Sequence, residues 1–120
     1  TGKYLPGKKP PAGSRATDKK SGAGMISNWL REEVLVAVQN LAPIAKEAGL
    51  TMGQLAIAWV LQNPNVSSAI MGATKPSQVK ENVKAAGVKL SAAQMKAIDN
   101  ALGSLPNRDP GATKSPNPRA

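Results

Sequence analysis

Residues 66–82 read VSSAIMGATKPSQVKEN. The run Val66–Met71 is short and apolar. Asn63-Pro64-Asn65 precedes it and Gly72 follows it, a pattern that predicts a buried strand. Pro76 suits the first turn of a helix, which Val79, Val83 and Ala86 would face inward as far as Gly87. A strand ending at Gly72 and a helix opening near Pro76 would bring loop amides and the positive end of the helix dipole together, an arrangement suited to an anion. Gly72 admits close backbone approach, Thr74 offers a hydroxyl and Lys75 a charge. Gln78, Glu81 and Asn82 are spaced i, i+3 and i+4, so they share one helical face and can present amide and carboxylate groups to a ligand. Spacing alone is better met by Thr74 as an ordinary N-cap and Glu81 as a solvated charge. GATKPSQ lacks the Gly-Lys-Ser/Thr of a phosphate-binding P-loop, and no Gly-x-Gly-x-x-Gly is present.

Upstream, Thr51-Met52-Gly53-Gln54 reads as a capping box opening a helix over 51–62, whose apolar residues leave almost no polar face and predict burial on most sides. From 27 to 48, Trp29, Leu30, Val34, Leu35, Val38, Leu41, Ile44 and Ala45 recur at three and four, predicting a helix that Pro43 kinks or splits and Gly49 caps. Downstream, a helix over 76–86 is followed by a second capping box, Ser91-Ala92-Ala93-Gln94, and a helix over 92–102 stopped by Gly103. Residues 1–24, rich in proline, glycine and lysine, predict a long basic surface loop. Residues 105–120 predict an irregular tail.

With 120 residues, no cysteine and no histidine, the chain can hold neither a thiol nucleophile nor the commonest general base, and it is shorter than the roughly 250 residues of an α/β barrel. The net charge is +9, and +5 of it falls in the first twenty positions. Nucleic-acid sites usually interleave aromatic residues with basic ones, whereas this chain has only Tyr4, Trp29 and Trp59. No nucleic-acid partner is therefore expected. No apolar run reaches the roughly 20 residues of a membrane span, and no apolar signal-peptide core follows Thr1. The expectation is a cytoplasmic protein with no membrane partner, whose start lies upstream of Thr1.

Taken in order, Thr1-Gly2-Lys3-Tyr4, Gly13-Ser14-Arg15, Leu55-Ala56-Ile57-Ala58-Trp59-Val60-Leu61, Val66–Ala73 and Gln78-Val79-Lys80-Glu81-Asn82 closely resemble the C-terminal part of aldo-keto reductases. The branch most resembled includes potassium-channel beta subunits and bacterial relatives that reduce aldehydes. The resemblance covers roughly residues 1–103. It implies an α/β fold, the C-terminal portion of a (β/α)8 barrel, mostly helical in this segment with one clear strand at Val66–Met71. It also implies NADPH/NADP as cofactor and a small-molecule carbonyl substrate.

By that resemblance, Lys3 and Arg15 approach the cofactor phosphates, Gly72 and Thr74 line the 2'-phosphate and ribose side, Gln78 helps grip the 2'-phosphate, and Glu81 and Asn82 hydrogen-bond the adenine. Guanidinium and ammonium groups suit phosphate oxygens on chemical grounds as well. The family's catalytic Asp, Tyr, Lys and His lie upstream of this segment, so no catalytic residue is assigned and neither Lys3 nor Tyr4 is given such a role. The chain alone is expected to be inactive and poorly stable, with Leu55, Trp59 and Val83 exposed. A regulatory or channel-associated NADPH-binding protein without significant catalysis is the competing expectation.

Overall fold

A computed structural model describes residues 3–20, 22–109 and 111. Six α-helices are found among them: α1 (Gly22–Ile26), α2 (Glu32–Gln39), α3 (Ala42–Glu47), α4 (Met52–Leu61), α5 (Pro76–Asn82) and α6 (Ala92–Leu102). Single 3-10 turns occupy Arg15–Thr17, Ser27–Trp29 and Val83–Ala85.

The caps explain the best-defined boundaries. Thr51 Oγ1 accepts the Gln54 N–H at 3.3 Å while Gln54 Oε1 accepts the Thr51 N–H at 3.0 Å. Ser91 and Gln94 repeat this exchange at 3.1 and 2.9 Å. Each pair satisfies two amide groups that a helix start leaves without partners. At the end of α3, Gly49 has φ +67°, the Leu50 N–H reaches Ala45 O at 2.8 Å and the Gly49 N–H reaches Lys46 O at 3.1 Å. That is a Schellman motif, and its left-handed residue favours glycine.

The helix expected over 27–48 is three pieces. Arg31 is extended (φ −64°, ψ 138°) and separates the turn Ser27–Trp29 from α2, whose first turn carries Glu32 and Glu33. Pro43 has no N–H to donate to Gln39 O, so the ladder cannot continue, and the proline sits in the first turn of α3. Within the expected 1–24 loop, the 3-10 turn at Arg15–Thr17 and the start of α1 at Gly22 are regular structure. The helix expected over 76–86 is α-helical only to Asn82 and tightens to 3-10 at Val83–Ala85.

The core lies where α3, α4 and α6 meet. Ile44 and Ala45 from α3, Leu55 from α4 and Ile98 from α6 form its buried cluster, ringed by Leu41, Leu50, Met52, Trp59, Leu90 and Leu102 among others. Leu55, expected at an exposed face, is only 2% exposed, because α3 and α6 fold over α4. The expected inward stripe of Val79, Val83 and Ala86 faces solvent instead. The tightening after Asn82 rotates Ala85 inward, and it is completely buried. Apolar side chains stay exposed among the described residues, Met25, Trp29 and Val83 among them.

The strand expected at Val66–Met71 does not form. No strand exists among the described residues, and Ile70 is fully exposed. A strand's N–H and C=O groups are satisfied by a neighbour about 4.8 Å away, and no other described segment offers one.

Candidate functional site

The segment 72–82 still builds a site, through α4 rather than through a sheet. Thr51, Met52 and Gly53 at the start of α4 and Gly72, Ser77, Gln78, Glu81 and Asn82 around α5 line an open cleft of ≈ 270 Å³. Gly53 forms part of its wall: a Cβ there would lie 3.8 Å from Asn82 Oδ1, ordinary contact, so any larger side chain would extend into the space.

Gln54 joins the two walls. Its side chain is buried at 7% exposure, and its Nε2 donates to Glu81 O at 3.0 Å while its Oε1 caps Thr51. A buried amide with both ends bonded fixes the angle between the helices it connects.

Gln78 organises the loop in front of α5. Its Oε1 accepts from Thr74 N at 2.7 Å, Thr74 Oγ1 at 3.1 Å and Lys75 N at 3.2 Å. Lysine has no side-chain acceptor, so the Lys75–Gln78 pair is one half of a capping box, with Gln78 supplying the cap from inside the helix. The loop amides expected to face an anion are thus held by this chain's own carboxamide, and Gln78 Nε2 makes no hydrogen bond among the described residues. Thr74 and Lys75 lie on the adjoining shallow surface with Ala73, Pro76, Val79 and Lys80.

Of the seven candidate residues, Gly72, Gln78, Glu81 and Asn82 line one cleft, and Thr74 is bonded to its edge through Gln78. Lys3 and Arg15, both exposed, do not line it. They belong to the N-terminal loop, where Tyr4 Oη accepts the Ala16 N–H at 3.3 Å and Gly7 N–H donates to Glu32 Oε2 at 3.3 Å. Thr1 and Gly2 of the first motif lie outside the described residues. Next to Arg15, Ser14 is 7% exposed and its Oγ is buried without a hydrogen-bond partner, an uncommon condition for a buried hydroxyl.

Sequence reasoning missed Thr51, Met52, Gly53 and Ser77 as cleft residues and Gln54 as a bridge. The capping box marked the start of α4, but which element packs against it is a tertiary fact. A glycine one residue inside that box was the single local hint, since glycine weakens a helix interior unless something needs the space.

Among the described residues no group of three or more His, Cys, Asp or Glu side chains could hold a metal ion. No described helix is long and apolar enough to cross a membrane.

A sequence profile of the Aldo/keto reductase family matches residues 1–102. The chain is 42% identical over 110 residues to a probable voltage-gated potassium channel subunit beta of Arabidopsis thaliana, covering 90% of this chain and 33% of that protein. It is 43% identical over 109 residues to a putative voltage-gated potassium channel subunit beta of Schizosaccharomyces pombe, covering 88% of this chain and 31% of that one. A probable subunit beta of Oryza sativa subsp. japonica is 44% identical over 88 residues, with 73% and 26% covered. The chain therefore spans about a third or less of the length of these curated relatives, and it belongs to the aldo/keto reductase family.

Proposed function

We propose that this chain forms the NADPH-binding end of an aldo/keto reductase barrel, in a protein that reduces aldehydes or ketones to alcohols. The observation that carries the proposal is the α4–α5 cleft, into which Gly72, Gln78, Glu81 and Asn82 converge.

The donor set fits the adenosine end of the cofactor. Glu81 accepts hydrogen bonds, and Asn82 both donates and accepts, which matches a base edge carrying an amino group and ring nitrogens. A carboxylate repels phosphate, so the 2'-phosphate belongs at the opposite end, near Gln78 Nε2 and the Lys75 ammonium, while the Thr74 hydroxyl, whose proton goes to Gln78 Oε1, holds the loop beside it. Lys3 and Arg15 supply the remaining phosphate contacts from the N-terminal loop, where charge-assisted bonds suit them. NADPH supplies the hydride delivered to a carbonyl carbon. The residues of this chain bind and orient the cofactor and select for its extra phosphate. The proton donor comes from outside the segment, so the 120 residues alone are inactive.

A second reading is favoured by the relatives, which are probable or putative channel beta subunits. In it the same cleft holds NADPH in a regulatory protein with little turnover. Titration of the full chain with NADPH and NADH, followed by nucleotide fluorescence, tests the binding common to both readings. At least tenfold tighter binding of NADPH is expected, and equal binding of the two would overturn the site assignment. Aldehyde-dependent oxidation of bound NADPH by the complete barrel protein then separates reductase from regulator.

A further inference from the structure

We infer that Gln54 is a positioning residue for the nucleotide cleft: its buried carboxamide ties the start of α4 to the backbone of Glu81 and so sets the spacing between the walls that grip the ligand. The inference rests on the proposed nucleotide site and adds a determinant of affinity that does not itself touch the ligand.

Both ends of the side chain are committed. Oε1 accepts from Thr51 N at 3.0 Å, within α4's own cap. Nε2 donates to Glu81 O at 3.0 Å, across 27 residues of sequence. The two atoms therefore do separate jobs, one local and one between helices. Thr51, Met52 and Gly53 precede Gln54 and form one wall, while Glu81 and Asn82 form the other. No ion pair joins these walls among the described residues. The bond to Glu81 O also lies at the last turn of α5, where the helix tightens to 3-10 at Val83–Ala85 and the orientation of its final side chains is least constrained by its own ladder. Fixing that carbonyl fixes the Glu81 and Asn82 side chains that follow from it.

The two jobs can be separated chemically. Gln54→Glu keeps an acceptor for Thr51 N, and Glu is as good as Gln at this position of a capping box. It removes the donor to Glu81 O and sets a carboxylate against a carbonyl oxygen. Ser91→Ala serves as the stability control, since it removes an equivalent cap at α6, away from the cleft.

The test uses the full chain, with NADPH titrated into wild type, Gln54→Glu, Gln54→Met and Ser91→Ala, and thermal unfolding of each without ligand. The expected result is NADPH affinity weakened about tenfold in both Gln54 variants, the size of one lost hydrogen bond of about 1.4 kcal/mol. Ser91→Ala should lower the melting temperature and leave affinity unchanged. ADP-ribose 2'-phosphate, which lacks the nicotinamide, should lose affinity in the Gln54 variants by the same factor, because the bridge acts on the adenosine end alone. Two results overturn the inference: unchanged affinity in Gln54→Glu, or affinity in the four proteins falling in step with melting temperature. Failure of wild type to bind NADPH would instead overturn the proposed function on which it rests.

Discussion

Leu55→Ala tests whether the cluster between α3, α4 and α6 holds this chain together. Leu55 is 2% exposed and packs with Ile44, Ala45 and Ile98. Truncation removes three carbon atoms, each contributing about 0.8 kcal/mol when fully buried, hence about 2.4 kcal/mol of transfer free energy. A sealed void would add about 24 cal/mol per Å³ of residual cavity. Here the space is not sealed, because Leu55 also lines an apolar cleft of ≈ 230 Å³ with Val38, Met52 and Trp59, into which neighbours can relax. The expected loss is therefore about 2–3 kcal/mol, in the lower part of the usual range for Leu→Ala.

Urea unfolding of the 120-residue chain measures this through helical ellipticity and Trp59 emission, with the exposed Trp29 as a constant background. With m near 1–1.5 kcal/mol/M for a chain of this size, the midpoint should fall by about 2 M. If the wild-type midpoint lies below that, Leu55→Ala should lack native ellipticity in buffer. Ile70→Ser is the matched comparison. Ile70 is equally apolar but fully exposed, and its change should stay within about 0.5 kcal/mol. A Leu55→Ala loss under about 1 kcal/mol, or equal losses at the two positions, would refute the assignment of the core.

Ser91→Ala removes the acceptor of the Gln94 N–H at the start of α6 and should cost about 1 kcal/mol, read as a lower unfolding midpoint with unchanged slope. Gly22→Ala places a Cβ 2.5 Å from Arg15 O and 2.6 Å from Arg15 Cγ, so the backbone of α1 or of the Arg15–Thr17 turn must move. The full chain should then bind NADPH more weakly, and unaltered binding would remove Arg15 from the site. Gln78→Ala leaves the Thr74 and Lys75 amides without their carboxamide partner; the preference for NADPH over NADH should fall at least threefold, with NADH affinity changing less.

What was legible in the sequence is what neighbouring residues decide among themselves. Thr51 with Gln54, Ser91 with Gln94 and Gly49 after α3 are motifs of three to six residues, and each is formed as its pattern reads. Pro43 was legible as a break, since its missing N–H matters in any helix, whereas the break at Arg31 follows no local rule and was not. The cleft was half legible. Gln78, Glu81 and Asn82 share a helical face by spacing alone, but their opposite wall comes from α4, more than twenty residues earlier. Gln54 illustrates the limit well. Its sequence position identifies it as a cap, and one atom of its side chain is a cap, while the other reaches Glu81 by virtue of packing that no local pattern encodes.

Val66–Met71 shows the same limit from the other side. The run has the composition of a buried strand, yet a strand is a relation between two segments, and its hydrogen bonds exist only where a second extended segment lies alongside. A helix needs no such partner, because each N–H finds its carbonyl four residues back. The described residues accordingly keep every helix that has an internal cap or a packed face and lose the one element whose bonds must come from elsewhere. The exposure of Ile70 follows from this. The cleft escapes the loss because its walls are α4 and α5, joined through Gln54, so the adenosine end of the proposed site depends on helix-to-helix contacts within the segment rather than on a closed sheet.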